Sequence, residues 1–213
     1  AGTTDKLIGA ATATVTEPEA IDPTCNELIA YHERVARHLI VDADKQQSVL
    51  DEIVQIGEEL RTFLAGMATL RECTDQSRDP VMSYGERWSP ALFTSTCRAR
   101  GLNAVLLDAS SAIRTDADHL AARVDMQETR ALCDAQVRPL LEDHDVVITQ
   151  GFVGSTAQGI TTTLGRGGSD ASAAIFGTVL DAEEIQIWTD VSGVYSADPR
   201  IIADARPVPS LSF

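Results

Sequence analysis

Aromatic residues make up only 5% of this sequence, and its 17 lysines and arginines face 32 aspartates and glutamates. A net charge of −15 argues against a nucleic-acid partner, which needs a basic footprint. It also means that any site for an anion must supply its own local cations. No apolar run approaches the ~20 residues of a membrane span. The opening AGTTDKLIGAATATV lacks a basic n-region and a continuous apolar h-region, so it does not read as a signal peptide. A cytoplasmic protein with no membrane partner is expected. Cysteine is sparse as well: Cys25, Cys73, Cys97 and Cys133 are scattered, with no C-x-x-C or Cys/His ligand spacing. Four reduced thiols, mostly packed on helices, and no protein-held metal are expected. His32, His38, His119 and His144 fit no acid–nucleophile pattern and read as surface or packing residues.

What is present is an ordinary globular composition, 44% apolar and 23% charged over 213 residues, enough for one large domain. The first third is helical. Residues 26–40 carry Leu28, Ile29, Val35, Leu39 and Ile40 on roughly one face. Residues 45–71 repeat apolar positions close to every 3.5 residues, the mark of helix packed on helix. A polar segment, 73–80, ends this region. Short apolar runs at 103–108 (NAVLLD) and 145–150 (DVVITQ) read as buried parallel strands, joined by a crossover helix over 124–142. A helix over 170–180 and a strand over 184–189 (EIQIWT) follow. The expectation is an α/β fold: a three-layer sandwich with a mostly parallel central sheet, plus an extra helical layer from residues 26–71. Ligands are expected at the carboxyl ends of the strands.

Thr161 to Asp170, TTTLGRGGSD, is the most informative stretch. It places three glycines between a strand and an Ala-rich helix, where backbone N–H groups and a helix N-terminus favour anions. It fits neither GxxxxGK[ST] nor GxGxxG. The plainer reading is a tight turn with Ser169 or Asp170 as N-cap, but Arg166 has no role in a cap. Its planar fork suits a carboxylate or phosphate. Asp190 ends the strand in WTD, and Tyr195, Asp198 and Arg200 share one loop. Asp190 and Asp198-Pro199 also suit ordinary turn initiation. Glu86, in SYGERWS, reads from first principles as a solvated helical residue.

Taken together, these segments resemble the aspartate kinases of the amino acid kinase family, in the lysine-type, single-function subgroup. The likeness runs from ITQGFVGSTAQGITTTLGRGGSD through IWTDVSGVYSADPR to ARPVPSLSF. SYGERWS resembles the family's S-x-G-E-x segment, and AGTTD the segment after its second strand. The resemblance implies transfer of the γ-phosphoryl of ATP, with Mg²⁺ carried by the nucleotide, to the side-chain carboxylate of L-aspartate. The product, 4-phospho-L-aspartate, leads to lysine, threonine and methionine. By position, Arg166 is implied to grip the substrate α-carboxylate with Ser169 nearby, Glu86 to receive the α-ammonium, and Thr4 to contact the reacting carboxylate. Phe152 is implied to line the same pocket, and Asp170 to organise catalytic groups near the transferred phosphate. Gly167, Gly168, Thr189, Asp190, Tyr195 and Arg200 are implied nucleotide-binding positions. A homo-oligomer, commonly a dimer, is implied too.

Two family lysine segments, K-F-G-G-T-S and F-G-A-K, and the regulatory ACT domains have no counterpart here. Residues 1–213 are therefore expected to be a catalytic domain incomplete at both ends and inactive by itself. Pro90 falls where the family helix usually runs on, which suggests that Glu86 precedes a helix restart capped by Ser89. Ala171 replaces a larger residue often found after GGSD. Two other readings remain open: a kinase of the same fold acting on glutamate, carbamate or a nucleoside monophosphate, and a non-catalytic nucleotide- or amino-acid-binding subunit.

Overall fold

The computed structural model describes residues 2–189 and 193–210. The chain divides into two units, Ala1–Glu183 and Glu184–Phe213.

The first unit opens with helices α1 (Thr3–Ala13), α2 (Ile21–Leu39) and α3 (Ala43–Leu70). Asp42 starts α3 by accepting from the N–H groups of Asp44 and Lys45, and Arg71 ends it in the left-handed region at φ 57°. The apolar stripes read from the sequence meet here: Leu28 and Ala36 of α2 pack with Val49, Ile53, Leu60 and Leu64 of α3. Trp88 seals this core, fully buried and stacked on His32 at 4.7 Å, its indole N–H donating to the Ile53 carbonyl at 3.1 Å. The extra helical layer is therefore built as helix on helix.

Helices α4 (Asp75–Ser83) and α5 (Gly85–Ala99) follow. The polar segment 73–80 is thus largely helical rather than a break: Thr74 and Ser77 form a reciprocal capping box, which starts a helix despite Pro80. The interruption falls at Tyr84, before Glu86 rather than after it. α5 then runs through Pro90 with no restart at Ser89. Proline has no N–H, so the Glu86 carbonyl lacks its usual helical donor there.

Strands β1 (Ala104–Leu107) and β2 (Val146–Thr149) pair in parallel, Ala104 opposite Val146 through Leu107 opposite Thr149, with α6 (Met126–Asp143) between them in sequence. Alternation sorts their side chains. Ala104, Val146 and Ile148 meet Cys97 of α5, whereas Leu107 and Val147 meet Cys133 and Val137 of α6 and Val179 of α7 (Gly168–Val179). Helices thus cover both faces of this α/β sheet. The Gln150 side-chain carbonyl accepts from the Ala109 N–H at 2.6 Å, tying the carboxyl ends of β1 and β2 together.

Beyond β2 lies an antiparallel hairpin, β3 (Val153–Ser155) with β4 (Thr161–Thr163). β4 is the strand expected before the glycine-rich turn, whereas the short VGS of β3 carries no long apolar run, so periodicity does not announce it. Three cysteines are buried and all four are free. Burial pushes the Cys25 thiol up to about 11.

In the second unit, residues 184–188 pair with no described strand, contrary to the expected strand 184–189. EIQIWT has strand-like alternation, but a strand needs a ladder partner, and Ile185, Ile187 and Trp188 are exposed.

Candidate active site

Four segments of the first unit carry the side chains of interest. Thr4 and Asp5 lie in the first turn of α1, and Glu86 in the first turn of α5. Phe152 sits in the turn from β2 to β3. Residues 164–167 join β4 to α7, and Ser169 and Asp170 follow in its first turn.

The α7 start differs from the sequence expectation. Gly167, at φ 76°, is the N-cap and Gly168 the first helical residue, so neither Ser169 nor Asp170 caps the helix. Both lie in its opening turn, where N–H groups have no intrahelical acceptor and the helix dipole favours negative charge.

The turn at Gly151-Phe152 is pressed against this opening turn. A Cβ on Gly151 would come 3.0 Å from the Ser169 Cβ, and one on Gly168 would come 2.7 Å from the Phe152 Cβ. Phe152 is held at φ 56°, a region a bulky residue rarely adopts. Its N–H donates to the Ser172 hydroxyl at 2.8 Å and its carbonyl accepts from the Leu164 N–H at 2.9 Å. Strain of this kind persists only when the surroundings over-determine it, and it clusters at ligand sites. Gly168→Ala is expected to lose about 1–3 kcal/mol of stability by overpacking against Phe152. Urea unfolding would measure it, with a loss below about 0.5 kcal/mol counting against the close approach.

These segments line an open cavity of about 590 Å³. Thr4, Glu86, Phe152, Arg166, Ser169 and Asp170 all line it, together with Gly167 and Gly168. Residues not singled out in the sequence line it too, Asp5, Ile8, Met82 and Leu120, together with Gly165 of the glycine-rich stretch. Asp5 adjoins Thr4 and could have been suspected. Leu120 could not, because it arrives on a loop more than thirty residues in sequence from every other lining residue.

Three carboxylates and one guanidinium therefore share one space. Glu86 is half-buried rather than a solvated surface residue, and burial raises its carboxyl above the ordinary range, against the Gly151 N–H that favours the carboxylate. Arg166 forms no ion pair with any described carboxylate. A half-buried acid and an unpaired fork of donors lining one cavity suit a ligand carrying both an ammonium and a carboxylate.

The remaining residues belong to the second unit. Tyr195 bridges Pro207 in an isolated antiparallel pair. Arg200 is engaged by Asp198, Nη2 to Oδ2 at 2.8 Å and Nε to Oδ1 at 3.1 Å. Asp198 also starts a turn, its carbonyl accepting from Ile201 and Ile202. Thr189 is in this unit as well, and Asp190 lies outside the described residues. Among the described residues no three His, Cys, Asp or Glu side chains converge as a metal site. None of the described helices is long and apolar enough to cross a membrane.

The family model for the amino acid kinase family matches residues 5–213. The chain belongs to the amino acid kinase family. Among its relatives, the lysine-sensitive aspartokinase 3 of Escherichia coli is 36% identical over 195 residues, covering 92% of this chain and 41% of that protein. Aspartokinase 1 of Bacillus subtilis is 40% identical over 139 residues, 65% of this chain and 33% of its own length. The crystal structure of E. coli aspartokinase III in complex with aspartate and ADP (R-state) superposes with a TM-score of 0.88 at 30% identity, over 98% of this chain and 44% of that one. The same enzyme with lysine and aspartate (T-state) gives 0.85 at 31% identity. The chain thus spans about two fifths of the length of the E. coli enzyme.

Proposed function

We propose that this amino acid kinase chain is the substrate-binding part of an aspartate kinase, which transfers the γ-phosphoryl of ATP to the side-chain carboxylate of L-aspartate. The observation that carries the reading is the convergence of Glu86, Arg166, Ser169 and Thr4 on one cavity from three separate segments. Arg166 takes the α-carboxylate in a bidentate grip, with Ser169 beside it, and Glu86 takes the α-ammonium. Thr4 contacts the side-chain carboxylate. That carboxylate, with a pKa of ~4, is already ionised at neutral pH and needs no general base. One of its oxygens attacks the γ-phosphorus as the bond to the β-phosphate oxygen breaks, and ADP leaves. The task is to align two anions and to screen their repulsion.

Arg166 and the N-terminus of α7 supply part of that screening. Gly167 and Gly168 allow phosphate to approach the backbone, and Asp170 organises the groups around it. Thr189, Asp190, Tyr195 and Arg200 are assigned to the nucleotide. Mg²⁺ fits as an ion held mainly by the nucleotide phosphates: with Glu86 assigned to the ammonium, Asp170 and Asp5 are the other carboxylates of the cavity, and hard cations of this size need only one or two. The family resemblance and the lysine-bound relative extend the proposal to a cytoplasmic homo-oligomer under amino-acid control, whose further length holds the rest of the catalytic domain and regulatory ACT domains.

The test is ATP-dependent turnover by the full-length parent, with the acyl phosphate trapped as its hydroxamate. L-Aspartate is expected to be turned over while L-glutamate, D-aspartate and carbamate are not. Turnover of one of those in place of L-aspartate would move the chain to another kinase of the same fold. ATP binding without any acceptor would identify a binding subunit.

A further inference from the structure

Away from the reacting groups lies a fully buried carboxylate that the scheme above does not use. Asp79, in α4, is 0% exposed. A buried carboxylate is costly unless donors surround it, and here they come from two distant segments. His119 Nδ1 lies 2.7 Å from Oδ2, and the Leu120 N–H donates at 3.2 Å to Oδ1. The third donor is the Thr163 hydroxyl, from the last residue of β4.

Both donor segments form the wall of the cavity. Leu120 lines it and is held at φ 66°, a left-handed conformation unusual for leucine. Its carbonyl oxygen would lie 2.8 Å from a Cβ on Gly165, which also lines the cavity and has φ 76°. Gly165 comes two residues after Thr163 and immediately before Arg166. The Ala122 N–H donates to the Thr163 carbonyl at 3.0 Å, a second tie between the same two segments. On its own side, Asp79 precedes Met82, another lining residue, and α4 leads into the turn that presents Glu86.

We propose that Asp79 is a positioning residue for the amino-acid clamp: its carboxylate pins the Leu120 loop and the end of β4 together, fixing where the chain departs toward Arg166. The proposal rests on the assignment of Arg166 and Glu86 to L-aspartate. Loss of the tie frees residues 164–166 first, so that the grip of Arg166 on the amino acid loosens far more than the hold of Gly167, Gly168 and the second-unit residues on the nucleotide.

The experiment uses the full-length enzyme with Asp79→Asn, Thr163→Val and Thr163→Ser. Thr163→Val keeps the shape and removes the hydroxyl, so it reports even where Asp79→Asn fails to fold. Thr163→Val is expected to raise KM for L-aspartate about tenfold, the loss of one hydrogen bond to a charged group, with KM for ATP within about twofold. Thr163→Ser restores the wild-type value. Amide exchange at residues 165–169 is expected to quicken in Thr163→Val and recover in Thr163→Ser. Unchanged KM for L-aspartate, or equal rises in both KM values without faster exchange at 165–169, would overturn the proposal. Should the wild type turn over no L-aspartate, the functional assignment fails instead, and exchange at 165–169 alone decides whether Asp79 pins the loop.

Discussion

Arg166→Ala in the full-length enzyme is expected to lower kcat/KM for L-aspartate by roughly 10² to 10³-fold, the equivalent of about 2.7–4 kcal/mol for a charge-assisted bidentate pair. Most of the loss falls in KM. The α-carboxylate is not the reacting group, so its grip is felt alike in the ground state and the transition state. Arg166→Lys keeps the charge but not the fork and is expected to recover only part of the loss. The observation behind this is local: Arg166 follows Gly165, lines the cavity, and has no described carboxylate competing for it. Steady-state kinetics with the hydroxamate trap measures both parameters. A variant with near-normal KM for L-aspartate would show that Arg166 serves another partner.

Glu86→Gln separates the amino-acid clamp from plain dicarboxylate binding. The loss of a charged partner for the substrate ammonium is expected to raise KM for L-aspartate by about 10 to 100-fold. Binding of succinate, which has no ammonium, should hardly change. The pH dependence has a definite sign. Burial raises the Glu86 carboxyl, and the ammonium needs the carboxylate form. Wild-type affinity for L-aspartate is therefore lost as pH falls through that raised value, at a higher pH than an exposed glutamate would give. Glu86→Gln removes this limb of the profile. Stability moves the other way. Because the folded-state pKa lies above the unfolded one, the native state binds the proton more tightly, and stability falls as pH rises from the unfolded value through the folded one. Above that window Glu86→Gln should melt higher than the wild type, and below it the two should coincide. A variant with impaired L-aspartate binding and an equal or lower melting point at neutral pH would break the link between burial and function.

Much of this molecule was legible because its signals are local. The α2–α3 stripes and the continuous apolar strands β1 and β2 depend on short-range periodicity, and their boundaries fall within a few residues of expectation. The α4 helix was hidden because Pro80 and the six polar residues 74–79 outweigh a propensity reading, whereas the structure starts it with the Thr74–Ser77 capping box. The strand expected over 184–189 was over-read at 184–188 because alternation reports only the side chains and not a partner for the backbone.

The cavity divides along the same line. Gly167, Gly168, Arg166, Ser169 and Asp170 sit in one loop whose glycines and fork of donors stand out in a single sequence. Glu86 looks solvated by itself and gains meaning only when α5 brings it into the cavity. Asp79 and His119 carried no signal at all: forty residues separate them, and neither belongs to a spacing pattern. The left-handed backbones of Phe152 and Leu120 are equally silent in sequence, since both side chains normally avoid that region.

The central claim is that one cavity of this chain holds L-aspartate by both of its α-groups. A crystal structure of the full-length protein grown with L-aspartate and a non-hydrolysable ATP analogue tests it most directly. The account predicts the α-carboxylate on Arg166, the α-ammonium on Glu86, and the side-chain carboxylate beside Thr4 and facing the γ-phosphate. An amino acid bound elsewhere, or seated here with its α-carboxylate away from Arg166, would contradict it.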